Sequence, residues 1–264
     1  FGSLADMDKD RRDWAYRMIP MQKLTNIIGE DHVYFFTFNL VGSPMESASN
    51  LNEYIQQVKK ATGHDKVNLL NVSLGGTIFT AYLDVYGHKD INQVVNAVAA
   101  TDGSEIIADF LTRGEDGFRI DDEFLYHEYI PKIIAESNDT ASLGYLLNLV
   151  IRIIPRQVFR DTLTAAMDGL SETLLVNCPQ FWALVPSDRY DALCKKYLTD
   201  KDHAVLKAKT DRYHQAQLNL GKNVLAANAA GVKIDSIAGA NLAFGDVEYS
   251  YFSIIKSALN TNSD

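Results

Sequence analysis

One short stretch most constrains what this chain can fold into. Val67–Val72 is a mainly apolar run that ends on Ser73-Leu74-Gly75-Gly76, and an apolar pattern with helical spacing, Gly76–Tyr86, starts on those glycines. A strand that passes straight into a helix must turn sharply between them. The chain on either side supports that arrangement. Met45–Thr62 places Leu51, Tyr54, Ile55 and Val58 on one helical face, with Lys59 and Lys60 in its last turn and Gly63 just past the end. Ile91–Ala100 ends in a further strand, and His32–Leu40, dense in aromatic residues, reads as a buried strand upstream. Strand, helix, strand, helix, strand at this spacing implies a parallel sheet with right-handed crossovers.

The rest of the chain extends this frame. Residues 1–30 suggest a helix through Trp14, Met18, Ile19, Met21 and Leu24, broken by Pro20. Beyond Thr101 the pattern turns helical, and Gly231–Gly239 reads as a return to strand. The expected organisation is an α/β core over 1–104, a helical cap over 105–228 and a return to the sheet over 229–264. At 264 residues the chain suits one large α/β domain or two small ones.

A serine on a strand-to-helix turn is the arrangement of a nucleophile elbow, small-x-Ser-x-Gly. The turn lifts the serine Oγ clear of the sheet, and small residues two places either side let strand and helix pass closely. Here Ser73 is the candidate nucleophile, Gly75 fills the second small position, Gly76 adds room, and Asn71 stands at the first. The Leu74 N–H then faces a developing oxyanion, helped by the positive end of the helix. The alternative is a glycine-rich turn that packs tightly or binds a phosphate; neither GxGxxG nor a Walker A signature is present.

Composition narrows the partners. A net charge of -9 argues against a nucleic-acid surface. No apolar run reaches the ~18 residues of a membrane span. Cys178 and Cys194 lack metal or redox spacing and read as two buried thiols, with a single disulfide as the alternative. HExxH and EF-hand patterns are absent, so no metal or cofactor is expected.

The stretch from Tyr34 to Leu83 resembles the α/β-hydrolase superfamily, in particular bacterial lipases and esterases related to lecithin:cholesterol acyltransferase. Phe38-Asn39-Leu40 stands at that group's D-W-R-like turn, and Asn71-Val72-Ser73-Leu74-Gly75-Gly76 at its elbow. Ala100-Thr101-Asp102-Gly103-Ser104 is similar to its G-T-P-x-x-G-S loop, and Pro179–Pro186 to a cap motif. The resemblance implies an α/β-hydrolase-type, mostly parallel sheet with a helical cap insertion, incomplete at both ends. It implies Ser73 as nucleophile, Asp264 as the triad acid, and the backbone N–H groups of Leu74 and Phe1 as the oxyanion hole. The catalytic histidine would then lie beyond residue 264, and the first core strand before residue 1.

Other side chains compete for these roles. Asp246 rivals Asp264 as the acid. His32, His64 and His88 read as solvated turn residues, while His127, His203 and His214 fall in the helical stretch. The apolar set Tyr145, Leu146, Leu149, Ile153, Ile154, Phe159, Phe181, Trp182 and Leu184 lines either an acyl groove or an ordinary helix-to-helix core. The expected substrate is a small-molecule or lipid ester, with transient contact to a lipid surface. The competing reading is a non-catalytic binding or scaffolding domain on the same frame.

Overall fold

A computed structural model describes residues 1–112, 155, 157–158, 161–162, 165, 169 and 176–239. Strands β1 (Val67–Val72), β2 (Ile91–Ala97) and β3 (Lys233–Ile237) form an all-parallel sheet in the order β1-β2-β3. Leu69 sits beside Val94 and Val94 beside Ile234; Asn71 sits beside Asn96 and Asn96 beside Ser236. The described helices are α1 (Lys9–Met18), α2 (Gln22–Ile28), α3 (Pro44–Thr62), α4 (Gly75–Tyr86), α5 (Glu105–Thr112), α6 (Pro179–Trp182), α7 (Tyr190–Tyr197) and α8 (Ala204–Ala229). The fold is therefore mixed α/β.

Helix α4 links β1 to β2 and packs against both α3 and α8. Its Ile78, Phe79, Ala81, Tyr82 and Leu83 are all buried, because it has neighbours on every side. They join Leu51 and Ile55 of α3, Ile91 and Val94 of β2, and Tyr213 and Ala227 of α8 in the main core. Each large apolar side chain enclosed there stabilises the fold by roughly 1.5–3 kcal/mol. The opposite face of the sheet leaves Leu70 and Ile237 exposed among the described residues.

The expected helix starts and stops largely hold. α3 takes Pro44 at its first position and ends at Gly63, and α4 ends at Gly87. The amphipathic N-terminal stretch forms two helices, α1 and α2, that part around Pro20. Cys178 and Cys194 are both free and buried. No helix among the described residues is long and apolar enough to cross a membrane.

His32–Leu40 departs from expectation: it is not a strand of the sheet. Its apolar side chains are half-buried on two sides, with Val33 and Phe35 against Leu4, Ala15 and Met21, and Phe36 and Phe38 against the main core. Its backbone makes isolated bonds in place of a ladder. Leu4 N donates to Val33 O at 2.8 Å, and the Tyr54 hydroxyl donates to Phe35 O at 3.3 Å. Aromatic density signalled burial here, not pairing. The strand read over Ile91–Ala100 also stops early, at Ala97, because Val98 takes a positive φ of 46° and turns the chain.

Asp90 ties the amino edge of the sheet to α3. Its carboxylate accepts from Lys59 Nζ and from Gln56 Nε2, and its carbonyl accepts from Val67 N at 2.9 Å. Burial opposes the charge, but the bonds from Lys59 and Gln56 outweigh it and hold the carboxyl below its ordinary 3.8. A carboxyl that is more acidic folded than unfolded stabilises the fold fully above its unfolded pKa. That stabilisation fades as pH falls through the lower folded value. Asp90→Asn is expected to cost about 2 kcal/mol at neutral pH and clearly less at about pH 3. Urea unfolding at the two pH values measures the difference.

Candidate active site

Ser73 lies between β1 and α4 with its side chain exposed and its backbone at φ +49°, in the left-handed region. A non-glycine residue there is strained by about 1 kcal/mol or more and persists only when its surroundings hold it. They do so through three bonds. Ser73 N donates to Ala97 O at 3.2 Å, and Ser73 O accepts from Gly76 N at 3.0 Å and from Ala100 N at 2.9 Å. The first holds the Val72–Ser73 peptide, and the other two pin the Ser73–Leu74 peptide. The peptide is trans, so the Leu74 N–H points away from the carbonyl that Gly76 and Ala100 hold. That N–H has no hydrogen-bond partner among the described residues, as befits the open end of a helix. The turn sits at the carboxyl edge of the sheet, where ligands of open parallel sheets bind.

The close approach that makes the turn possible is at Gly76, which corrects the weight the sequence places on Gly75. A Cβ on Gly76 would lie 2.7 Å from Ala100 N, 2.8 Å from Ala100 C and 2.9 Å from Thr101 N, all of them backbone atoms. A Cβ on Gly75 would lie 4.0 Å from Asn71 Cβ, an ordinary contact. Asn71 fits its position because its side chain turns across to the neighbouring strand. Its Nδ2 donates to Asn96 Oδ1 at 3.0 Å, and both residues are buried.

The loop after β2 packs tightly beside this turn. Thr80 Oγ1 of α4 donates to Thr101 O at 2.6 Å, and Ser104 N donates to Leu184 O at 2.8 Å. Gly103 has φ +88°, and a Cβ there would come within 2.6 Å of Leu184 O and 2.8 Å of Pro186 N. The segments 100–104 and 179–186, which the sequence sets beside two separate motifs, thus rest on each other. Trp182 is buried, donates from Nε1 to Val176 O at 2.8 Å, and meets the Tyr190 ring edge-on at 5.9 Å. It belongs to a helix-to-helix core, with Phe181 packed against that core, and not to an open groove. Of the other apolar candidates Leu184 is half-buried, while Tyr145, Leu146, Leu149, Ile153, Ile154 and Phe159 lie outside the described residues.

Two residues that sequence reasoning missed support the turn from below. Gln180 Nε2 donates to Thr77 Oγ1 at 2.7 Å, and Thr77 Oγ1 donates to Leu74 O at 2.8 Å. No pattern in the sequence links positions 77 and 180; only the tertiary placement of α6, which packs on α8, brings them together.

Ser73 and Leu74 share the turn, and among the described residues no histidine or carboxylate side chain hydrogen-bonds to Ser73. The Phe1 ring, 67 % exposed, stacks on Tyr34 at 5.6 Å and meets Tyr54 edge-on at 5.3 Å. Burial, and then the neighbouring Tyr34, push the Tyr54 hydroxyl up to about 12. No hydrogen bond or ring contact among the described residues joins Phe1 to Ser73. Asp264, Asp246 and His127 lie outside the described residues. His64 and His88 lie in connections between elements, as expected, whereas His32 is the last residue of a short 3-10 helix, Glu30–His32. His203 pairs with Asp200 through Nδ1 at 2.8 Å just before α8. His214 stacks on Tyr190 with ring centres 4.2 Å apart, and its buried Nδ1 has no partner among the described residues.

Among the described residues no group of acidic, histidine or cysteine side chains is arranged to hold a metal ion. The chain matches no family model, no curated protein and no solved structure, so the reading of this site rests on its own geometry.

Proposed function

We propose that this chain is an α/β-hydrolase-type serine esterase, lipase or acyltransferase that works through an acyl-enzyme on Ser73. The observation that carries the reading is the serine held at φ +49° between a parallel strand and a buried helix. Strain of this kind is characteristic of functional positions, and an exposed hydroxyl at the carboxyl edge of the sheet is open to a substrate.

In the proposed reaction Ser73 Oγ attacks the ester carbonyl carbon and gives its proton to a histidine base. Negative charge gathers on the carbonyl oxygen, where the Leu74 N–H and the positive end of α4 stabilise it. The C–O bond to the alcohol then breaks, and the alcohol leaves with the proton from the base. Water, or a second alcohol, next attacks the acyl carbon and restores the serine. Asp264 orients the base, and Phe1 supplies a second oxyanion N–H. The substrate is a small-molecule or lipid ester.

A second reading, a binding or scaffolding domain without catalysis, is favoured by one observation. Among the described residues no histidine hydrogen-bonds to Ser73. Turnover of a short-chain aryl ester separates the two. The esterase reading expects acid release at a rate well above the blank. A rate equal to the blank across acyl lengths favours the binding domain.

A further inference from the structure

We propose that Gln180 is a positioning residue for the Ser73 turn, acting through Thr77 on the first turn of α4. The inference rests on the esterase reading of Ser73. Thr77 and Gln180 are both buried, at 0 % and 1 % exposure. A threonine hydroxyl has one proton to give. Thr77 gives it to Leu74 O, and Gln180 Nε2 donates to one of the hydroxyl's two lone pairs. Leu74 O also accepts from Thr77 N at 3.1 Å, so two donors hold the Leu74–Gly75 peptide. The preceding Ser73–Leu74 peptide is held by Gly76 and Ala100. The four bonds together fix both peptide planes that follow the nucleophile.

The environment of Gln180 shows why packing alone does not explain an amide there. Its Oε1 is buried without a partner among the described residues, and such an orphaned acceptor is unfavourable. A methionine of similar volume would fill the space and leave no oxygen unmet. The bond from Nε2 to Thr77 is what the amide supplies. Gln180 is carried by α6 next to Trp182, whose indole is locked in the core around Tyr190. Displacement of the 176–186 segment would therefore withdraw Gln180 from Thr77 and loosen the turn, which couples that segment to the reactivity of the site.

The test uses the full chain with two readouts: the second-order rate of labelling by a fluorophosphonate, and amide hydrogen exchange over residues 72–79. Gln180→Met and Thr77→Val are each expected to slow labelling about tenfold, since small misplacements at a reacting centre are costly. Exchange over 72–79 should quicken several-fold in both, while the melting temperature stays within about 3 °C of wild type. The double variant should be no slower than the slower single, because both act through one contact. Thr77→Ser, which keeps the hydroxyl, should restore the rate. Unchanged exchange and labelling in Gln180→Met, additive losses in the double variant, or losses that track melting temperature would overturn the proposal. A wild-type chain that resists the probe, yet exchanges faster over 72–79 in Gln180→Met, would sink the esterase reading and leave the positioning role standing.

Discussion

Alanine at position 76 is expected to destabilise the protein by about 3 kcal/mol or more, while alanine at position 75 leaves stability within about 0.5 kcal/mol of wild type. The two glycines are adjacent and belong to the same helix, so helix propensity cannot separate them. What separates them is the atoms a methyl group would meet. At 76 it would meet the backbone of Ala100 and Thr101 at 2.7–2.9 Å. Those atoms cannot swing aside as a side chain can. Ala100 N already donates to Ser73 O, so a shift of the loop would also break a bond that holds the turn. At 75 the methyl group meets Asn71 Cβ at 4.0 Å, and alanine is the better helix former. Urea unfolding of the two variants side by side gives the difference. Equal stabilities would mean that the loop after β2 does not lie against α4 as described.

Glycine and alanine at position 73 should pull stability and reactivity apart. Both remove the hydroxyl, and each is expected to reduce ester turnover by about a thousandfold or more. Their stabilities should differ, because alanine keeps the left-handed strain of φ +49° and glycine relieves it. Ser73→Gly is expected to be about 1 kcal/mol more stable than Ser73→Ala. A chain shaped only for stability would place glycine here. A strained serine in its stead is what the proposed reading, which needs an exposed hydroxyl, expects. Melting curves for the two variants, taken with their turnover, test both halves. If alanine is as stable as glycine, position 73 is not held in the left-handed region.

Much of this turn can be read from residues alone, because its causes are local. An apolar run, a serine and two glycines state a strand, a sharp reversal and a helix start; Gly63 and Gly87 mark where α3 and α4 stop. Parallel pairing follows from the alternation of these elements, and the three-stranded sheet has it. The features that escaped depend on distant partners. His32–Leu40 has the composition of a strand, yet whether it pairs depends on a neighbour that composition does not name. Asn71 looks too large for an elbow until Asn96 is seen to accept its amide. Gly76 outweighs Gly75 only once Ala100 is placed against it. Gln180 and Thr77 stand 103 positions apart, and nothing local reports their contact.

The proposed reaction depends on one chemical property: an activated serine at position 73. The most direct measurement treats the full chain with a fluorophosphonate, digests it, and locates the adduct by mass spectrometry. The expected result is a single phosphonylated serine on the peptide carrying Asn71-Val72-Ser73-Leu74, absent from Ser73→Ala and blocked by prior heat unfolding. An unlabelled Ser73, or equal labelling of folded and unfolded chains, would contradict it.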